Sequence, residues 1–141
     1  MVYSVNLPIF GIENSYMLKN ILLIGSGGFI GSVARYFISR LNLSISFFSI
    51  PVGTLLVNVS GSLLIGLLMG LAERTTIVST EARLFLMVGL CGGFTTFSSF
   101  TMENLTLLHN GQILQILIYT SLSVILGFFG VWIGYALTNL L

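Results

Sequence analysis

The chain has 141 residues, of which 55% are hydrophobic and 6% charged, with a net charge of +1 and a mean hydropathy of +1.05. A soluble domain carries roughly a quarter charged residues, so this composition excludes an ordinary water-soluble fold and places the chain among integral membrane proteins. The near-neutral balance offers no electrostatic footprint for a nucleic-acid partner, and a single cysteine, Cys91, excludes an internal disulfide.

Residues 1–17, with Pro8 and Gly11, read as an irregular leader. They carry no basic run, and no small-residue cleavage site follows the first apolar segment, so no removed signal peptide is expected. Residues 18–141 read as one transmembrane unit. Its charges stand at Lys19, Arg35, Arg40, Glu73, Arg74, Glu81, Arg83 and Glu103, leaving uncharged stretches at 20–34, 41–72, 84–102 and 104–141. A spanning helix needs about 20 apolar residues. The last three stretches suffice alone, and the first needs Arg35 near its end, where a long basic side chain reaches toward the headgroups. The expected architecture is therefore all-α, with four transmembrane helices.

Helix 1 is expected over about 19–38, with Gly27, Gly31, Arg35 and Ser39 on one face. Arg35 has two readings: an interfacial end to helix 1, or a source of positive potential at the mouth of an anion path. The segment 41–50 is apolar but Ser-rich and reads as interfacial. Helix 2 is expected over about 51–73, with Pro51 in its first turn, where a missing N–H costs nothing. Its small and polar face carries Thr54, Asn58, Ser62, Gly66 and Gly70. The glycines and serines of such stripes suit close helix packing. Asn58 needs a hydrogen-bond partner, either a neighbouring helix or a conducted species.

Helix 3 is expected over about 82–107, and its centre is unusual. Gly92-Gly93 followed by Thr95, Thr96, Ser98 and Ser99 weakens helix at mid-membrane. Backbone freed from helix in lipid must be buried in protein or line a polar cavity, and a helix broken at the bilayer centre gathers carbonyls and helix ends at one place, as ion sites require. Helix 4 is expected over about 112–138, with Tyr119, Ser123 and Gly127 on one face. No acidic residue is expected at a helix centre, which argues against a cation or proton relay.

Several patterns are weak. Gly25-Ser26-Gly27 with Gly31 lacks the preceding strand and later acidic residue of a dinucleotide loop. The Asn-x-Ser/Thr triplets at Asn42, Asn58 and Asn104 lie in or beside membrane and do not suit glycosylation. One histidine, no aspartate and one cysteine supply neither a metal cluster nor a nucleophilic triad, so the chain does not read as an enzyme.

The run Gly92-Gly93-Phe94-Thr95-Thr96-Phe97-Ser98-Ser99-Phe100 closely resembles the signature of the Fluc (CrcB) fluoride channel family. Gly27-Gly28-Phe29-Ile30-Gly31 with Arg35-Tyr36 resembles its first-helix motif, Gly53 to Gly61 its second, and Tyr119 with Ser123 its fourth-helix polar positions; together they cover about 19–138. The resemblance implies an antiparallel, dual-topology homodimer of four-helix subunits, with the third helix broken at mid-membrane. It implies two narrow pores that export fluoride passively and protect a microbial cytoplasm, in an inner or plasma membrane. It also implies a structural sodium ion held by carbonyls at Gly92 and Thr95. Phe97 and Phe100 would line the fluoride path with Asn58 nearby. Ser99, Tyr119 and Ser123 offer further hydrogen-bond donors, and Arg35 would face the vestibule. Two other readings fit a small helical membrane protein. A multidrug exporter would want a buried carboxylate in helix 1, which has none, and a non-conducting assembly subunit would leave the Gly-Gly-x-Thr-Thr interruption unexplained.

Overall fold

The computed structural model of the chain describes residues 14–40 and 50–140. Most of the leader and nearly all of the expected interfacial segment, at 1–13 and 41–49, lie outside them. The described residues form helices and turns and no strand. In chain order these are α1 (Asn14–Arg40), α2 (Val52–Arg74), α3 (Thr80–Arg83), a π-helical stretch (Leu84–Cys91), α4 (Gly92–Phe94), α5 (Phe97–His109), α6 (Ile113–Leu137) and a final 3-10 turn (Thr138–Leu140). Four segments are long and apolar enough to cross a membrane: Tyr16–Arg40, Val52–Arg74, Thr80–His109 and Ile113–Leu140. The charge-free windows had located all four. α1 starts earlier than expected, at Asn14, because residues 12–18 contain no glycine or proline to stop it. Pro51 stands just before α2 rather than within its first turn, and its carbonyl accepts the first helical bond, from Leu55 N at 3.2 Å.

The spans run up, down, up and down. At one end Lys19 pairs with Glu81 at 3.2 Å, and Tyr135 Oη donates to Glu73 at 2.7 Å. There too the Arg83 guanidinium donates to the Ala72 and Val78 carbonyls, closing the turn between α2 and α3. Its bond to Ala72 satisfies a carbonyl that the end of α2 leaves without a helical donor. Arg35 and Arg40 lie toward the opposite end of α1, where Gly53 at the start of α2 approaches Ser39.

Two helix pairs build the subunit. α2 packs chiefly on α6, and α1 packs on the π-helical stretch and α4. Small residues set both distances, because van der Waals contact rather than hydrophobic exclusion holds helices together in lipid. A Cβ at Gly31 would collide with the Leu90 carbonyl, and a Cβ at Gly134 with the Leu63 carbonyl. Backbone atoms cannot rotate away as side-chain ends can. Gly31→Ala is therefore expected to destabilise the folded protein by about 2 kcal/mol, in the range of overpacked cores. Gly25→Ala, whose Cβ meets nothing within 4 Å, is expected to change stability little; thermal unfolding of the purified variants side by side checks the contrast.

Much of the molecular surface is apolar. Phe29, Phe37, Leu117, Phe128 and Trp132 are all exposed, as suits side chains turned toward lipid. The largest fully buried side chains among the described residues are Tyr119, Val57 and Cys91, and they lie near the interruption of the third span.

Candidate functional site

The third span departs from α-helix twice. Over Leu84–Cys91 it winds as a wide π-helix, against which the Gly27 and Gly31 face of α1 packs. After Phe94 the backbone becomes extended at two residues, Thr95 (φ −75°, ψ 156°) and Thr96 (φ −149°, ψ 120°). Thr95 closes the upstream end: its N–H and its Oγ1 both donate to the Cys91 carbonyl, at 3.0 and 2.9 Å. Thr96 opens the downstream end, its Oγ1 accepting from Ser99 N at 3.2 Å as the N-cap of α5. Threonine suits that place because a short side-chain oxygen can satisfy one of the helix's free amides.

Asn58, from the second turn of α2, holds the extended pair. Its Oδ1 accepts from Thr96 N at 2.8 Å and its Nδ2 donates to Thr96 O at 3.0 Å. The carboxamide thus replaces both partners that an uninterrupted helix would have given Thr96. Of the two partners that the sequence left open for Asn58, the structure supplies the neighbouring backbone; one Nδ2 hydrogen remains beyond that pair of bonds. From α1, Ser32 Oγ donates to Gly93 O and Arg35 Nη1 to Thr95 O, each at 3.4 Å. Because the Thr96 amide turns to Asn58, it does not close on the Gly92 carbonyl, its partner in a continuous helix. Gly92 is exposed, and a Cβ there would meet nothing within 4 Å.

Asn58, Ser62, Cys91, Thr95, Thr96 and Phe97 border a recess of about 280 Å³ on the outer side of the subunit. Phe97 is 77% exposed and projects from the first turn of α5. Its ring lies 5.8 Å from that of Phe100, which lies 5.1 Å from the ring of Tyr119. The expected site residues Asn58, Thr95, Phe97, Phe100, Ser99 and Tyr119 therefore form one connected group around the interruption. Ser99 joins it through Thr96 Oγ1, at 3.1 Å. Ser123 stands one turn along α6 from Tyr119, with its Oγ buried and without a hydrogen-bond partner among the described residues. Arg35 approaches from the α1 side.

Glu103 belongs to the group and was missed. Its carboxylate accepts from Thr54 Oγ1 at 2.6 Å and from the fully buried Tyr119 hydroxyl at 2.7 Å. Glu103 stands six residues before the end of the span Thr80–His109, away from its centre, and its carboxylate is nonetheless turned to partners on the neighbouring spans. A signal was available: an ionisable residue within a span needs polar partners in the bundle interior, and Thr54 and Tyr119 were already marked on polar faces. Tyr119 correspondingly spends its hydroxyl proton on Glu103.

Among the described residues no three His, Cys, Asp or Glu side chains gather to hold a metal ion. The oxygen donors at the interruption are backbone carbonyls and hydroxyls. Those of Gly92 and Thr95 suit a hard cation, which takes oxygen ligands: the first lacks its helical donor, and the second is turned out of helix by the extended backbone at Thr95.

Four apolar spans around a hydrogen-bonded interruption define a multi-pass membrane protein. Residues 22–135 match the family described as CrcB-like protein, Camphor Resistance (CrcB), and the chain belongs to that family. It is 48% identical over 115 residues to the "Fluoride-specific ion channel FluC" of Chlorobium luteolum, covering 82% of this chain and 88% of that relative. It is 50% identical over 113 residues to the protein of that name from Chlorobium phaeobacteroides, covering 80% and 87%. It is 41% identical over 123 residues to that of Azobacteroides pseudotrichonymphae, covering 87% and 98%.

Proposed function

We propose that the protein is a fluoride channel, not an enzyme, that lets fluoride leave the cytoplasm passively and so limits its toxicity. The observation that carries this reading is the connected group of Asn58, Phe97, Phe100 and Tyr119 at the extended residues Thr95 and Thr96, in a chain whose relatives bear the fluoride-channel name. Fluoride is small and strongly hydrated, so a pore must replace its water with hydrogen-bond donors while holding it weakly enough to release it. Asn58, Ser99 and Ser123 supply such donors. The rims of Phe97 and Phe100 supply the positive edge of an aromatic quadrupole. Arg35 adds positive potential at the approach.

The reading extends to an antiparallel homodimer with the interruption of the third span at mid-membrane, in an inner or plasma membrane. Two features support it. Phe97 and Gly92 are exposed on the outside of the single subunit, where a second copy would cover them. The basic residues are nearly balanced, with Lys19, Arg74 and Arg83 toward one end and Arg35 and Arg40 toward the other. The positive-inside rule then gives little preference for either insertion, and an antiparallel pair needs both. A reporter fused to the C-terminus in cells is expected on both sides of the membrane; appearance on one side alone would overturn the dual topology.

The same reading places a structural sodium ion where two interruptions meet, with the Gly92 and Thr95 carbonyls of each copy as ligands. Sodium would neutralise carbonyls gathered in a low-dielectric interior, and the chain's own residues would orient them: Asn58 by fixing Thr96, and Thr95 by bonding back to Cys91. Replacing sodium by potassium at constant ionic strength is expected to lower the thermal stability of the purified dimer. Unchanged stability would count against the ion.

A further inference from the structure

Among the described residues Arg35 is the one basic side chain bonded to the interruption, and its hydrogen bond has a consequence for the proposed ion. Nη1 donates to the Thr95 carbonyl at 3.4 Å from a part-buried position. That carbonyl cannot be left bare. Thr95 is extended, so its C=O points out of the helical ladder, and an unsatisfied carbonyl at membrane depth is costly. In the single subunit Arg35 is the side chain that reaches it. Ser32, one turn earlier on the same face of α1, reaches Gly93 O in the same way. The two neighbours differ in what they bring: Ser32 brings a neutral hydroxyl, Arg35 a full positive charge.

We propose that Arg35 is an internal competitor of sodium at the Thr95 carbonyl: it satisfies that oxygen in the unpaired or sodium-free subunit, and sodium binding displaces it. This rests on the sodium reading above and adds a regulatory residue to it. A guanidinium and a sodium ion cannot both sit close to one carbonyl without like-charge repulsion, which the low dielectric of the membrane interior strengthens. The apparent affinity for sodium is then lowered by the fraction of molecules in which Arg35 already occupies the oxygen. The displaced guanidinium turns toward the approach to the pore, so one side chain serves the empty interruption and, once released, the anion path. The arrangement makes ion binding, dimer assembly and the charge of the approach interdependent.

The competition is read from the sodium dependence of thermal unfolding of the full-length purified dimer. Sodium chloride is titrated against potassium chloride at constant ionic strength, for wild type, Arg35→Met and Arg35→Lys. The expected result is a half-saturating sodium concentration about tenfold lower in Arg35→Met, as a state occupied roughly nine-tenths of the time would impose, with Arg35→Lys nearer wild type because it keeps the charge. Equal or weaker sodium dependence in Arg35→Met, beside a sodium-responsive wild type, overturns the competition and leaves the sodium site standing. A wild type that responds alike to sodium and potassium overturns both. If Arg35→Met does not assemble, Arg35→Gln, which keeps a donor for the carbonyl without the charge, decides on the same terms: a lower half-saturating concentration supports the competition, and an unchanged or higher one overturns it.

Discussion

Phe97→Ile and Phe100→Ile are each expected to cut fluoride flux at least about tenfold while leaving the protein folded. The flux loss follows from ring electrostatics. A phenyl edge carries partial positive charge and isoleucine does not, though it keeps much of the bulk; losing roughly 1.4 kcal/mol of edge stabilisation at a barrier is a factor of about ten. Retained folding follows from position. Phe97 is 77% exposed on its own subunit, so shortening it opens no internal cavity there. Phe100 is half-buried and lies against Tyr119, so its replacement is expected to cost more stability than that of Phe97. Liposome flux measured together with the chromatographic profile of each purified variant checks both halves. Wild-type flux in both variants would remove the aromatic edges from the mechanism.

Substitution of Asn58 is expected to be at least as harmful, for a second reason that only the geometry supplies. The carboxamide donates to Thr96 O and accepts from Thr96 N, a pairing that requires one donor and one acceptor on the same short side chain. Asn58→Asp keeps the acceptor, loses the donor, and sets a carboxylate against the Thr96 carbonyl. It also places a negative charge beside an anion path; at about 6 Å and an effective dielectric near 20 the repulsion is roughly 3 kcal/mol, or about a hundredfold in flux. Asn58→Ala carries no charge but abandons both Thr96 groups, at about 1–3 kcal/mol for each buried group left unpaired. The two variants therefore separate the roles. Asn58→Ala is expected to lose thermal stability and the flux that one donor supports, and Asn58→Asp to lose about a further hundredfold in flux through its charge. Equal thermal stability of wild type and Asn58→Ala would show that the Thr96 clamp contributes little.

What the sequence revealed follows from the kind of signal each feature leaves. The four spans were legible because charge is so scarce that its positions delimit them, and α2 and α6 fall within a few residues of expectation. The glycine faces of α1 and α2 were legible as packing surfaces, and Gly31 and Gly66 do lie against the backbone of neighbouring helices. The π-helical winding over Leu84–Cys91 was not legible. That stretch is apolar without a marked period, and its winding is set together with the α1 face packed on it, where a Cβ at Gly27 would meet the Phe85 carbonyl. Asn58 announced a need for a partner but not which one, since a carboxamide serves a backbone or an ion equally well. Glu103 was passed over because it falls at the edge of a charge-free window, and only folding brings Thr54 and Tyr119, 49 and 16 residues away, onto its two oxygens.

The central claim is that this chain conducts fluoride selectively, and its most direct test is ion efflux from liposomes carrying only the purified protein. Fluoride-loaded vesicles are expected to empty rapidly once the membrane potential is clamped, while chloride-loaded vesicles with the same protein retain their contents. Chloride release as fast as fluoride release, or fluoride release no faster than from protein-free vesicles, would contradict the account.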